Sequence, residues 1–493
     1  MNVPPSLIEA IQSSPKGSHI GAFFDFDGTI IDGFSAGAFF RDKLRKREMS
    51  AQEVAQALLI SLRNDVGEAE FTEFVRGAMR SWAGRDESDL HQLGRRLFLD
   101  EVARHLFPEA WQLVQAHRRQ GHTVAIASSA TQFQVEPMAQ ELGLEHVLCT
   151  HAQVENGLLT GDIDGRVLWG TGKAAAVKEF AKTRGIDLAQ SYGYANGDED
   201  AFFLDTVGHP CAVNPRSELA RIARERGWPV HHFAPRKRGQ LGARLRSIAS
   251  YTAMAGAFAA GLGAEYLGGG GGTREAAELI GVIGSELGLA TAGIRLRVQG
   301  EVNLWSQRPA VFIFNHQSGL DMLICAKLLR HGITGVAKKE AAKVPGFGQF
   351  MRMADMAFID RGNTGQAKSA LAPAVEKLRA GTSLAIAPEG TRSPTPRLGP
   401  FKKGAFHIAR QAGVPIVPIV IRNAGELLPR GTWVMRPGQV DVAILPPVSV
   451  KEWTLTTMEN DIESIRQEFI RTLENWPVDG AATIAAAAGG AVA

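Results

Sequence analysis

Short apolar runs that end in a histidine or a carboxylate occur in both halves of this chain. In the first half, residues 19–24 (HIGAFF) run directly into Asp25, and in the second half residues 310–314 (AVFIF) lead to His316. Such runs are typical of buried parallel strands, and in open α/β sheets functional groups collect beyond the carboxyl ends of the strands. Because 493 residues exceed what one hydrophobic core organises, the pattern predicts two α/β units.

The histidine of the second half is followed five residues later by an aspartate, in the segment NHQSGLD at 315–321. A neutral imidazole at His316 can take a proton from a substrate hydroxyl. The Asp321 carboxylate can fix the tautomer of that imidazole and stabilise the imidazolium that forms. This arrangement needs no serine or cysteine nucleophile. A histidine and an aspartate at this spacing are common, so the pair predicts catalysis only together with further motifs.

Further polar loops follow apolar runs in the same half of the chain. They are VAKKE at 336–340, FIDRG at 358–362 and SLAIA leading into PEGTRS at 383–393, and they are joined by the Pro-bounded strand VPIVPIV at 414–420. Loops at strand ends would bring these side chains to the same edge of the sheet as His316. An arginine at such a position suits a phosphate, because its planar guanidinium donates two parallel, charge-assisted hydrogen bonds.

Together with PFKKGAFHIA at 400–409, these blocks resemble the glycerolipid acyltransferase family, the 1-acylglycerol-3-phosphate acyltransferases that turn lysophosphatidic acid into phosphatidic acid. The resemblance implies that His316 deprotonates the free glycerol hydroxyl, that Asp321 orients it, and that the alkoxide attacks the thioester of acyl-CoA or acyl carrier protein. As alternatives, the arginines are surface charges and the glutamate caps a turn. The substrate-binding residues that the resemblance implies are Lys338, Arg361, Glu389, Gly390, Thr391 and Arg392.

The first half of the chain carries DFDGT at 25–29, directly after its apolar run. Two carboxylates on a Gly-containing turn can divide the work of phosphoryl transfer. Asp25 can attack phosphorus and bind a magnesium ion, while Asp27 protonates the leaving oxygen. DxD alone is a weak signal, whereas DxDGT directly after an apolar strand is a specific one, and it resembles the haloacid dehalogenase-like phosphatases.

Further segments follow the order of that family's motifs. The resemblance implies that Ser128, at the end of the apolar run 123–128, binds a phosphoryl oxygen. It also implies that Lys173 neutralises charge around the pentacoordinate phosphorus, unless this lysine is a surface residue at a helix start. The implied cofactor is Mg²⁺, and its implied ligands are Asp25, Asp27, Asn196 and Asp200.

The last of these motifs departs from the family pattern. Where related phosphatases carry a metal-binding aspartate, this chain has Asn196, within YANGDED at 194–200. An amide oxygen can ligate magnesium, but one negative charge is lost at a hard-cation site, and Asp198 and Asp200 are the candidates to compensate. The first unit is therefore either a competent hydrolase, even the principal activity, or a non-catalytic module that binds phosphoesters or acts as a scaffold.

Roughly 95 residues separate the first two phosphatase motifs, too many for a simple crossover, and they predict a cap at about 33–115. Apolar residues within 49–80 recur at three- and four-residue spacing, which predicts amphipathic helices. A helical cap at this insertion point resembles the phosphoserine phosphatase-like branch of the family. The substrate stays open, since a lipid-pathway phosphate is equally compatible with a fusion to a lipid enzyme.

A basic segment at 236–246 precedes the charge-free run 248–264, and a second apolar run at 279–294 is interrupted by Glu286. Basic residues beside an apolar segment fit anionic lipids on the cytoplasmic face of a membrane. About 17 residues are the lower limit for a spanning helix, so the pair predicts a helical hairpin dipping into one leaflet. Two full spans, or a small-residue helix buried inside a soluble protein, are the alternatives.

The sequence thus predicts a Rossmann-like phosphatase domain at 15–232, a linker with membrane-associating helices at 233–295, an α/β acyltransferase domain at 296–478 and a disordered tail at 479–493. A net charge of +3 is too small to predict nucleic-acid binding. We expect a bifunctional enzyme, peripheral or monotopic at the cytoplasmic face of the membrane.

Overall fold

The computed structural model describes residues 5–48, 67–236, 240–267, 274–338, 343, 351–359 and 372–477. The chain divides into two compact units, Met1–Arg238 and Gly239–Ala493. In its described part each unit has a seven-stranded sheet that is mostly parallel, with apolar clusters on both faces. The predicted pair of α/β units is therefore confirmed.

The sheet of the first unit has the strand order β4-β3-β2-β1-β5-β6-β7, and only β3 and β4 pair antiparallel. Phe23 of β1 packs on one face and Phe24 on the other, which explains why the run before Asp25 is apolar throughout. The strands are Gly21–Phe24 (β1), Thr123–Thr131 (β2), His146–Glu155 (β3), Leu158–Asp164 (β4), Tyr192–Ala195 (β5), His209–Val213 (β6) and Val230–His231 (β7).

Helices α2 to α5 of the first unit lie between β1 and β2, where the sequence predicts a helical cap. Of the stretch predicted to form amphipathic helices, residues 49–66 fall outside the described ranges. The helices are Pro5–Ser13 (α1), Ala36–Lys46 (α2), Glu68–Arg80 (α3), Glu87–Leu97 (α4), Pro108–Arg119 (α5), Gln132–Leu142 (α6), Thr171–Arg184 (α7), Ala201–Leu204 (α8) and Ser217–Arg226 (α9).

The sheet of the second unit has the strand order β11-β10-β12-β9-β13-β14-β8, and only β13 and β14 pair antiparallel. The strand that leads to His316 is β9, at the centre of the order. The strands are Ile294–Gln299 (β8), Val311–Phe314 (β9), Ile333–Lys338 (β10), Ala357–Ile359 (β11), Ser383–Ile386 (β12), Ile416–Arg422 (β13) and Gly438–Ile444 (β14).

Two long helices, α10 and α11, begin the second unit and pack against one another. They meet through small residues: a side chain at Gly288 would collide with Met254, and one at Gly261 with Ile280. Close approach of the two helices therefore accounts for Gly261 and Gly288, whereas a Cβ at Gly256 or Gly263 would meet nothing. The helices of this unit are Gln240–Leu267 (α10), Arg274–Ala292 (α11), Asn303–Ser306 (α12), Leu320–Leu329 (α13), Ala372–Arg379 (α14), Gly404–Ala412 (α15), Ala424–Leu427 (α16) and Met458–Glu474 (α17).

Within the described ranges, none of the helices combines the length and the hydropathy that crossing a membrane requires. The predicted tail at 479–493 lies outside these ranges, and so do residues 268–273 between α10 and α11.

Candidate active sites of the two units

His316 and Asp321 meet beyond the carboxyl end of β9. Nδ1 of His316 lies 2.8 Å from Oδ2 of Asp321, which is fully buried at the start of α13. The same oxygen accepts hydrogen bonds of 2.8 Å from the backbone N–H groups of Gln317 and Ser318. A carboxylate at Nδ1 favours the tautomer that carries its proton there. Nε2 of His316 bonds to none of the described residues, so it is available to accept a proton.

Glu389 joins the His316 segment to the loop after β12. Its Oε1 accepts a hydrogen bond of 2.6 Å from the backbone N–H of His316. Its Oε2 accepts from the Ser393 hydroxyl at 2.6 Å and from the Gly399 N–H at 2.8 Å. Burial raises the pKa of Glu389, and these three donors oppose that shift by favouring the carboxylate. The glutamate thus connects the His316 backbone to the Ser393 hydroxyl and the Gly399 backbone.

Glu389→Gln is expected to lower the free energy of unfolding by about 1–3 kcal/mol. The glutamine amide nitrogen is itself a donor, and it would replace one of the two oxygens that accept hydrogen bonds from backbone or hydroxyl donors. Acyl transfer should fall as well, since the His316 backbone loses its anchor. Differential scanning calorimetry measures the first effect. Glu452→Gln, which removes an exposed carboxylate of the same unit, is the matched control. A Glu389→Gln protein as stable as this control would contradict the anchoring role.

The loop after Glu389 carries the residues predicted to bind the substrate. Gly390 has φ +73°, and a Cβ there would lie 2.9 Å from Nζ of Lys402, so the backbone at this position requires glycine. Thr391 and Arg392 are exposed on the same loop, and the Arg392 carbonyl accepts a hydrogen bond of 3.1 Å from Arg430. Three cationic side chains are therefore carried on or against this loop.

Two residues predicted to bind the substrate, Lys338 and Arg361, cannot be placed relative to the cationic side chains at the loop of Gly390. The backbone of Lys338 ends β10, but its side chain lies outside the described part of the chain, as does the whole of Arg361. Sequence reasoning also missed Asn315, whose side-chain amide donates to the Ile421 carbonyl at 2.8 Å and accepts from the Ile421 N–H at 2.7 Å. This pair holds the end of β9 to β13, and its only sequence signal is the asparagine directly before the histidine.

In the first unit, Lys173 lies between two buried carboxylates. Its Nζ lies 2.8 Å from Oδ1 of Asp25 and 2.5 Å from Oδ1 of Asp200. Burial disfavours the ammonium, but the two carboxylates more than offset this and raise the pKa of Lys173. Residues from the end of β1, the first turn of α7 and the turn after β5 are thereby brought together. Lys173 is not the surface residue that the sequence allowed as an alternative.

Asp27 is held by the start of the cap. Its carboxylate accepts hydrogen bonds from the Ser35 N–H at 2.7 Å and from the Ser35 hydroxyl at 3.1 Å. Burial raises the pKa of Asp27 to about 7 and that of Asp25 to about 6. The Lys173 ammonium opposes this rise in pKa at Asp25, because it lies in direct contact with that carboxylate. A carboxylate beside an ammonium suits a nucleophile at Asp25, and a buried carboxyl of raised pKa suits a proton donor at Asp27.

Ser128 lies near the carboxyl end of β2, two residues after Ile126, which pairs with Phe24 in the parallel ladder. Its hydroxyl is buried and accepts a hydrogen bond of 3.2 Å from the Ala130 N–H. The ladder therefore carries Ser128 to the sheet edge from which Asp25 projects, as the motif order predicts.

The oxygen ligands predicted for magnesium are partly assembled. The Thr29 hydroxyl lies 3.3 Å from Oδ2 of Asp25 and 3.4 Å from Oδ1 of Asn196, so these two oxygens face a common region. Asp198 instead accepts from the Leu219 N–H at 2.7 Å at the start of α9. Among the described residues, no three His, Cys, Asp or Glu side chains surround one point. The oxygen-only set around Asn196 nevertheless fits a hard divalent cation.

The fold and these sites define a two-domain α/β protein. One unit carries a site with two buried carboxyl groups and a lysine, and the other carries a histidine–aspartate pair. The family model for haloacid dehalogenase-like hydrolases matches residues 22–205, and the acyltransferase family model matches residues 295–422. The chain therefore belongs to the haloacid dehalogenase-like hydrolase family through its first unit, and its second unit is similar to the acyltransferase family over the matched residues. The predicted fusion is confirmed.

Named relatives match parts of the chain. The 1-acyl-sn-glycerol-3-phosphate acyltransferase of Saccharomyces cerevisiae is 37% identical over 37% of this chain and 61% of its own length. A probable phosphatase of Mycobacterium tuberculosis is 32% identical over 43% of this chain and 75% of that protein. A phosphoserine phosphatase of the same organism is 29% identical over 53% of this chain and 85% of that protein. The chain thus covers less than two thirds of the yeast acyltransferase.

Proposed function

We propose that the second unit transfers a fatty acyl group from an acyl thioester to lysophosphatidic acid, giving phosphatidic acid. The observation that carries this proposal is the 2.8 Å contact between His316 and the buried Asp321, which leaves Nε2 open. Nε2 takes the proton of the acceptor hydroxyl as its oxygen bonds to the thioester carbon. The C–S bond then breaks, and the imidazolium returns the proton to the thiolate. Asp321 stabilises the imidazolium between these steps.

The cationic side chains at the loop of Gly390 support a phosphate-bearing acceptor. Arg392 and Lys402 lie exposed at this loop, where a phosphate can collect charge-assisted hydrogen bonds. The name of the yeast relative agrees with this acceptor. The test is transfer of labelled palmitoyl groups to lysophosphatidic acid by the detergent-solubilised full chain, with acyl-CoA and acyl carrier protein as alternative donors. Failure with both donors would contradict the proposal.

For the first unit we propose hydrolysis of a phosphomonoester. Asp25 attacks phosphorus to form an aspartyl phosphate, and protonated Asp27 gives its proton to the leaving oxygen. Asp27 then takes a proton from the water that hydrolyses the acyl phosphate. Lys173, fixed by Asp200, offsets the charge that builds on the phosphoryl oxygens. A magnesium ion held by Asp25, Asn196 and Asp200, with Asp27 contributing, would supply further charge neutralisation.

Release of phosphate from p-nitrophenyl phosphate, compared with and without magnesium, tests this hydrolase. Turnover that requires magnesium supports it. A chain that binds phosphoesters without turning over any of them would instead favour the non-catalytic module that the asparagine at position 196 allows.

We further propose that α10 and α11 rest on the cytoplasmic face of the membrane. Each helix exposes one apolar stripe at helical spacing, and the stripes consist of Leu241, Leu245 and Ile248 on α10 and Leu279, Ile283 and Leu287 on α11. The opposite side of α10 is fixed to its own unit, because the Ser247 hydroxyl accepts a hydrogen bond of 2.7 Å from the Met435 N–H. A hairpin held on one side and apolar on the other suits a lipid interface.

Replacing Leu245 and Ile283 together by Asp is expected to weaken binding to vesicles of phosphatidylcholine and phosphatidylglycerol at least about 10-fold, since each apolar side chain contributes roughly 1.5–3 kcal/mol when buried. Vesicle co-sedimentation of the full chain measures the change. Leu455→Asp, at another exposed leucine of the unit, should bind like the unaltered protein. Equal binding by the double variant would place the lipid contact elsewhere.

A further inference from the structure

Arg216 lies beside the phosphatase site, yet it has no part in the chemistry proposed above. It immediately precedes α9, and its backbone N–H donates to the Asn196 carbonyl at 3.0 Å. The first turn of α9 is held to the same loop by the bond from the Leu219 N–H to Asp198. Two backbone contacts thus fix the segment that carries this guanidinium against the loop of Asn196.

The guanidinium reaches towards the side of the site on which Asp27 lies. Its central carbon is 5.7 Å from the centroid of the Phe34 ring, and that ring is 63% exposed. Phe34 directly precedes Ser35, the residue that donates two hydrogen bonds to Asp27. Because Asp27 protonates the leaving oxygen in the proposed mechanism, Arg216 and Phe34 flank the path of the leaving group rather than the transferred phosphoryl group.

The charge of Arg216 is not neutralised in the way that the charge of Lys173 is. Lys173 contacts two carboxylates. Within the described part of the chain, no carboxylate lies within ion-pair distance of the Arg216 guanidinium. From farther away, its charge opposes the rise that burial causes in the pKa of Glu199. The Phe34 ring lies against one face of the guanidinium. The edge of a guanidinium carries its N–H donors, so this edge is available for a bidentate contact with an anion.

We infer that Arg216 recognises the leaving group, so that this site selects phosphomonoesters whose alcohol carries a second anionic group, a carboxylate or a second phosphate. The inference rests on the proposed hydrolase function of the first unit. Arg216 contacts the substrate, and Phe34 is a positioning residue that holds the guanidinium plane. The aromatic ring and the cation lie side by side, and together they give this part of the site a preference for an anionic leaving group. The motif residues alone do not supply this preference.

Three esters of one carbon skeleton test the inference by turnover. 3-Phosphoglycerate offers a carboxylate, glycerol 1,3-bisphosphate offers a second phosphate, and glycerol 3-phosphate offers only hydroxyls. Arg216→Gln in the full chain should lower kcat/KM for the preferred anionic ester about 10- to 100-fold relative to glycerol 3-phosphate, mainly through KM. Arg216→Lys should give an intermediate kcat/KM, because lysine keeps the positive charge but cannot donate the two parallel hydrogen bonds of a guanidinium. Arg224→Gln, an exposed arginine of α9, is the matched control.

A parallel loss with all three esters would make Arg216 merely structural and overturn the inference, as would a variant that keeps the original preference. The relative response of the two anionic esters identifies whether a carboxylate or a phosphate is read.

Binding separates this inference from the proposed hydrolysis. Isothermal titration of Asp25→Asn protein with 3-phosphoglycerate, glycerol 1,3-bisphosphate and glycerol 3-phosphate needs no turnover. Tighter binding of an anionic ester, lost when Arg216→Gln is added, supports recognition by Arg216 even if the unaltered chain hydrolyses nothing. Equal affinities for all three esters in both backgrounds would overturn the inference even if phosphatase activity is present.

Discussion

His316→Ala is expected to abolish nearly all acyl transfer to lysophosphatidic acid while leaving the second unit folded. Loss of a general base lowers the rate by roughly 10²- to 10⁴-fold, and loss of the alignment of the hydroxyl adds to this. The fold should survive because the Asp321 carboxylate keeps the backbone donors of Gln317 and Ser318 when the imidazole is gone. Phosphatidic acid formation from labelled acyl donor measures the rate, and thermal unfolding checks the fold.

His331→Ala is the matched control, since this histidine is exposed in the same unit and precedes β10. A His316→Ala protein that retains near-normal transfer would eliminate the general-base mechanism. An inactive variant that also unfolds early would instead show that the imidazole is structural. The two readouts must therefore be taken on the same preparations.

The parts of these sites that the sequence predicts are local in the chain. The six residues from His316 to Asp321 lead from the end of β9 into the start of α13, so the path between the two side chains is short enough to bring them together. DFDGT likewise follows β1 directly. In such segments, the local strand and the loop after it determine where the side chains lie, and contacts with the rest of the fold matter little.

Partners that are distant in sequence could not be predicted. Glu389 bonds to the backbone of His316 across 73 residues, and Asn315 bonds to Ile421 across 106. Nothing local distinguishes these bonds from turn caps. Which of Asp198 and Asp200 compensates for the charge lost at Asn196 could not be predicted for the same reason. Only the packing of α9 and α7 shows that Asp198 caps α9 and that Asp200 contacts Lys173. Side-chain direction at these positions is set by tertiary structure.

Asp25→Asn is expected to reduce phosphate release from p-nitrophenyl phosphate by about 10³-fold or more, because a carboxamide cannot attack phosphorus as a carboxylate does. The substitution is nearly isosteric, and Lys173 keeps its contact with Asp200, so the buried ammonium retains a partner. Asp164→Asn, at an exposed position of β4, should leave the rate unchanged.

Acyl transfer by the same Asp25→Asn protein should stay normal, since the acyl-transfer residues lie in the other unit. Undiminished phosphate release would remove Asp25 as the nucleophile, and simultaneous loss of both activities would mean that the two units do not work independently.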